Sequence, residues 1–371
     1  MLRARGARDR LEHMTGNLHF FKGSIYVTVV GLALAAGLGL YLFGTAAGVV
    51  TTVFIASMLA ILEVSLSFDN AVVNASVMQD MTPIWRHRFL TWGMAVAVFG
   101  MRFVFPLVVV SIVAGIGPLE ALRLATFEPI EYARLLTSAR IALGAFGGAF
   151  LGMVCLTYFF DAEKDVHWIG ALERRLSTLG KFEAIGLGLM MIALYGFSRS
   201  FAPAGALEFL VAGVFGLITF IAVDGIGAAM QAGTEGHHDL HRAGMASFIY
   251  LNVLDASFSF DGVIGAFALT NNLFVIAVGL GIGAMFVRSL TIMLVERGTL
   301  ASYRYLEHGA FYAIGALAVI MMIGTLHHVP EVVTGLIGAG FIGVSLWASI
   351  RHNRARRAAE RLVDQTAVRQ R

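Results

Sequence analysis

Cysteine is nearly absent from this 371-residue chain, Cys155 being the only one. No intramolecular disulfide can form, and no cysteine-based zinc site can be built. Charge is scarce as well: Asp, Glu, Lys and Arg make up 14% of the residues, against about 25% in an ordinary soluble domain. Proline occurs only six times. No P-loop or Gly-rich phosphate motif is present, so ATP drive is not expected. Ser, His and Asp fall into no nucleophile pattern, and the chain does not read as an enzyme. What is abundant is apolar. Hydrophobic residues reach 58% and the mean hydropathy is +0.78. These numbers exclude a soluble globular enzyme, a disordered chain and a disulfide scaffold. They leave a polytopic membrane protein, in which the 42 glycines suit close helix contacts and helix breaks.

Apolar runs lie near 23–43, 49–78, 89–115, 137–160, 183–199, 207–231, 244–270, 273–295, 309–326 and 331–350. A helical span needs about 20 apolar residues. The pattern predicts an all-α fold of about ten transmembrane helices with no cofactor. The run 183–199 is short enough to be re-entrant, and 49–78 and 244–270 are long enough to hold a break. A basic leader, residues 1–22, precedes the first run. A signal peptide would look similar, but the length of both segments favours a first span; Thr45-Ala46-Ala47 keeps cleavage as the lesser alternative. With the N-terminus cytoplasmic, 21 of the 27 Lys and Arg residues fall on cytoplasmic segments. Only Arg123, Arg134, Arg140 and Arg199 fall opposite, while Arg102 and Arg288 lie inside runs. The positive-inside rule then puts both termini in the cytoplasm, in a prokaryotic inner membrane. Residues 23–350 form the transmembrane domain, and the Arg-rich tail 351–371 meets anionic lipid, not nucleic acid. Membrane lipid is the expected partner, and a homo-oligomer stays open.

Five acids lie deep in these runs: Glu63, Asp69, Asp224, Asp255 and Asp261. Acids at membrane depth cost several kcal/mol and mark ion or substrate pathways. Four of them form two similar segments, Glu63-Val-Ser-Leu-Ser-Phe-Asp69-Asn70 and Asp255-Ala-Ser-Phe-Ser-Phe-Asp261-Gly262. Each segment is followed by a run with one buried Arg, Arg102 or Arg288. The motifs sit on runs two and seven, an odd separation, which predicts an inverted repeat with halves near 49–160 and 244–326. On a helix Glu63, Ser67, Asn70 and Asn74 share one face, and Ser65 with Asp69 another. In the second copy Asn252, Asp255, Ser259 and Gly262 form one line and Ser257 with Asp261 the other. A local break could turn both acids of a motif inward. Four carboxylates and two arginines leave a charge of −2, which matches one divalent cation. Glu63, Asp69, Asn70, Asp255 and Asp261 are the candidate metal ligands. Ser67, Ser259, Arg102 and Arg288 are supporting residues, with Asp224 evenly balanced between site and structure. Oxygen donors suit Mg²⁺, Ca²⁺ and Mn²⁺. The competing reading makes the same groups structural ion pairs.

These motifs resemble the TerC family of integral membrane proteins, within the LysE transporter superfamily. Glu63 with Ser67-Phe68-Asp69-Asn70 is similar to the family's early motif, and Asp255 with Asp261 to its later acidic pair, over roughly residues 50–325. The resemblance implies a secondary transporter exporting a divalent metal, most plausibly Mn²⁺, as substrate. Gly262 stands where family members often carry Ser, which removes one oxygen ligand. The alternative is a membrane scaffold in a tellurite or envelope stress complex. The segment 235–241, with His237, His238 and His241, reads as a solvated loop in preference to a metal collector.

Overall fold

In a computed structural model helices are the regular secondary structure found among the described residues, which are 2–79, 81–93, 95–162, 164, 166–179, 184–232, 240–327 and 329–369. Side chains are described in all of these except 2–17, 97, 179, 227–232, 240–243, 260, 261, 264 and 361–369. Helix α1 (Leu2–Phe43) turns back into α2 (Ala46–Leu66) through Gly44, whose φ of 64° favours glycine. Thr45 Oγ1 caps α2 by accepting the Gly48 N–H at 3.1 Å. Beyond a bend at Ser67 the chain continues as α3 (Phe68–Gln79). The next crossing, Pro83–Ala114, is composite. It joins α4 (Pro83–Arg88), π-helical turns over Phe89–Gly93 and Val96–Val104, and α5 (Phe105–Ala114).

Two short helices, α6 (Pro118–Phe127) and α7 (Pro129–Ser138), cover one end of the bundle. Next come α8 (Arg140–Phe160), α9 (Gly170–Leu179), α10 (Ala184–Ser198) and α11 (Pro203–Ala232). The remainder is α12 (Leu240–Ala266), α13 (Leu273–Glu296), α14 (Thr299–Ser302), α15 (Leu306–Gly324) and α16 (Glu331–Arg369). Helix α8 packs on α11 and α15, α13 on α1 and α2, and α15 on α16. Large apolar side chains such as Phe54, Trp92, Phe99 and Leu336 are exposed and form the outer belt.

Eight helices among the described residues are long and apolar enough to cross a membrane. The protein is therefore a multi-pass helical membrane protein, with fewer clear spans than the ten expected. The two that drop out have different reasons. At 15 residues, α10 reaches only about 22 Å, short of a 30 Å hydrocarbon core. Helix α12 has length enough, but it gathers Asn252, Asp255, Ser257, Ser259 and Asp261 into a polar stretch.

Helix α13 approaches α2 through Gly279 and Gly283, one turn apart. A Cβ on Gly279 would lie 2.9 Å from the Ala56 carbonyl oxygen, and one on Gly283 2.7 Å from that of Ala60. This small-residue spacing lets membrane helices touch backbone to backbone. It also brings α13 against the first motif.

Candidate functional site

The first polar face of the motif survives folding intact. Glu63 ends the α2 stripe and is 2% exposed. Its Oε1 pairs with Arg102 Nη2 and accepts the Ser67 hydroxyl at 2.8 Å. Arg102 reaches it from the π-helical turns, where the chain is wide enough for the Phe105 N–H to bond the Gly100 carbonyl five residues back. On α3, Asn74 Nδ2 donates to Asp255 Oδ1 of α12 at 2.9 Å, and the Asn70 side chain also bonds Asp255. Gly262 lies beside Glu63: a Cβ there would be 3.3 Å from Oε2. The missing hydroxyl in the second motif is thus room for the first motif's carboxylate.

The two stripes enclose a cavity of about 20 Å³, enough for roughly one water-sized occupant. Ser67, Asn70, Asn74, Asp255 and Ser259 line it together with both arginines. Arg288 is half-buried and donates through Nε to the Leu90 carbonyl at 2.9 Å. Three of the lining oxygens, Asn70 Oδ1, Asn74 Oδ1 and Ser259 Oγ, are buried with no hydrogen-bond partner.

Other expected ligands go elsewhere. Asp69 is buried but faces α16, where a Cβ on Gly338 would lie 3.6 Å from its Oδ2. Its Oδ1 accepts the Asn70 N–H at 2.9 Å. The break at Ser67 (φ −104°, ψ 18°) leaves the first N–H groups of α3 in need of acceptors, and Asp69 supplies one. Asp224 is exposed on α11 and does not line the cavity. The Asp261 side chain lies outside the described ones, as does most of the 235–241 segment. The expected group of four acids is therefore divided. Among the described residues no three His, Cys, Asp or Glu side chains come together as a metal-holding group. The charges lining the cavity, Asp255, Arg102 and Arg288, together with Glu63 behind Arg102, balance if all are ionised.

The two motifs are also not equivalent in their surroundings. The first helix breaks, whereas α12 is continuous. Glu63 takes a guanidinium, whereas Asp255 takes amides. Among the described residues no inverted repeat is shown.

A second polar group was not visible in the sequence. Glu173 of α9, 2% exposed, accepts the N–H groups of Trp168 and Ile169 at 2.9 and 3.1 Å. It also accepts the Tyr312 hydroxyl at 3.0 Å and lies 3.4 Å from His308 Nε2, which is 2.8 Å from the Val166 carbonyl. Lys164 Nζ sits 3.4 Å from the Tyr158 ring centroid. Burial there pushes the Lys164 ammonium down from 10.5 to about 8, against the pull of Glu173, Glu307 and Asp161. This group fastens the α8–α9 connection onto α15. Glu173 precedes Arg174 and Arg175, so its neighbours in sequence read as a solvated face.

No curated protein and no solved structure matches the chain. Residues 68–356 match the family described as "Protein of unknown function (DUF475)". That match overturns the TerC likeness drawn from the two acidic motifs. A pattern of two acids, two Ser and a Phe on an apolar helix is short, and any bundle that buries paired carboxylates beside a helix break can carry it. The chain belongs to the DUF475 family of proteins of unknown function.

Proposed function

We propose that the protein is a secondary transporter for a small hard cation, a divalent metal ion, which binds in the cavity between α3 and α12. One observation carries this reading. Asn70 Oδ1, Asn74 Oδ1 and Ser259 Oγ are buried without partners around one cavity, beside the Asp255 carboxylate. Each unsatisfied buried acceptor costs about 1–3 kcal/mol, so three in one place favour an occupant. Neutral oxygens with one or two carboxylates are the donor set of Mg²⁺, Mn²⁺ and Ca²⁺. The preference for Mn²⁺ rested on the corrected likeness; the donors alone do not separate these ions.

Charge gives the site two states. Arg102 stands on Glu63 where a cation would stand, while Asp255 accepts a hydrogen bond from the Asn74 amide. An entering ion meets Asp255 first and competes with Arg102 for Glu63. A ligand that favours one of two arrangements shifts their populations, which alternating access requires. Either eight or ten crossings keep both termini on one side, and the Lys and Arg distribution makes that side cytoplasmic.

One observation favours a structural role instead: Glu63 is satisfied by Arg102 and Ser67, as in an ion pair that only ties helices together. Thermal unfolding of the purified protein with Mn²⁺, Mg²⁺ or Ca²⁺ separates the readings. A bound ion at 100 times its Kd adds about 2.7 kcal/mol of stability. Stabilisation by at least one ion, lost in Asp255→Asn, is expected. Identical curves with and without all three ions would remove the proposal.

A further inference from the structure

Helix α16 leaves the apolar belt at Trp347, which is 60% exposed and has the Arg351 guanidinium 5.6 Å from its ring centroid. An exposed Trp with a cation stacked on it is the usual side chain of a membrane–water boundary. Immediately beyond it is a cleft of about 550 Å³ between α16 and the turn at α14. Arg354, Arg356 and Arg357 form one wall; Ser302 and Tyr303 form the other. At 1.5 Å per residue, Arg354 and Arg357 stand about 10 and 15 Å past Trp347 along the helix. The headgroup layer on each side of a bilayer is about 5–8 Å deep, so both arginines are rooted past its outer edge, and their long side chains reach lipid phosphates by turning back toward the membrane.

The walls are tied together. Asn353 Nδ2 donates to the Ser302 carbonyl at 2.8 Å, and the Tyr305 N–H donates to Ser349 Oγ at 2.9 Å. The buried Ser349 hydroxyl in turn donates to the Ser345 carbonyl at 2.9 Å. Arg356 is held by Glu360 at 2.9 Å. The charge this leaves on the cleft, two guanidiniums, suits an anion with several acceptor oxygens.

We propose that this cleft binds a phosphate-bearing anion, supplied by the headgroup of an acidic phospholipid. The inference does not depend on the cation site. Fixed walls and a boundary position distinguish the cleft from a diffuse basic tail. Native mass spectrometry of the full chain tests it, with phosphatidylglycerol, phosphatidylcholine and inorganic phosphate as probes. Retention of phosphatidylglycerol over phosphatidylcholine is expected. The double variant Arg354→Gln/Arg357→Gln should bind it about thirtyfold more weakly, on the scale of two juxtamembrane cations. The charge-matched control Arg361→Gln/Arg369→Gln should bind as the unaltered protein does. Equal binding of inorganic phosphate, lost in the same double variant, would keep the phosphate site and assign it a soluble source. Unchanged retention in the double variant, or equal loss in the control, would overturn the proposal.

Discussion

Replacing Arg102 by Gln tests the buried pair most sharply. Arg102 and Glu63 have side chains 7% and 2% exposed, and they meet across two different elements. Breaking a buried pair by removing one partner costs about 3–5 kcal/mol, because the remaining charge is left in a poor solvent. The Ser67 hydroxyl still donates to Glu63 at 2.8 Å, so the low end, about 3 kcal/mol, is expected. Removing both charges in Glu63→Gln/Arg102→Gln leaves a neutral amide pair. Part of the loss should return, so that the cycle shows a coupling of roughly 2 kcal/mol. Equilibrium unfolding in detergent, with all four proteins at one pH and lipid content, measures it. A single variant within about 0.5 kcal/mol of the unaltered protein, the range of ordinary surface changes, would refute the argument. It would mean that water reaches Glu63 in the resting protein.

Four further outcomes follow from the same structure. Asp69→Ala removes the side-chain oxygen that accepts the Asn70 N–H and should cost about 1 kcal/mol in the same unfolding assay while leaving metal-dependent stabilisation in place. Asp255→Asn should remove that stabilisation. Gly283→Ala places a Cβ 2.7 Å from the Ala60 carbonyl oxygen; backbone cannot swing aside, and a loss of about 1–3 kcal/mol is expected. Lys164 gives a pH signature. Its folded value of about 8 lies below the ordinary 10.5, so the unfolded chain binds more protons between those limits and stability rises with pH across that window. Below it both states are protonated and this contribution is flat. Unfolding curves of Lys164→Met should lack the rise.

Much of the cavity could be read from helical spacing. Glu63, Ser67, Asn70 and Asn74 recur with a helical period, and so do Asp255 and Ser259. Costly polar groups on one face of an apolar helix must face the bundle, and the two stripes do meet. Asp69 was beyond that reasoning. Its place on another face was visible, but the break at Ser67 was expected to turn it inward. The break instead exposes N–H groups, and the nearest carboxylate satisfies one of them. Equal spacing in two motifs suggested equal roles. Partners decide roles, and Arg102 and Arg288 have different ones. The Glu173–His308 group had no signal in the pattern, because burial of α9 depends on α15, far away in sequence. The Arg tail was legible as charge, but its cleft was not, since Ser302 and Tyr303 come from another helix connection.

The central claim is that the cavity carries a divalent cation across the membrane. The direct measurement is Mn²⁺ and Mg²⁺ entry into sealed vesicles containing the purified protein, followed by an internal metal-sensitive dye. The account predicts uptake of at least one of the two ions above protein-free vesicles, lost in Asp255→Asn and retained in Asp69→Asn. No uptake by the unaltered protein, or equal uptake in Asp255→Asn, would contradict it.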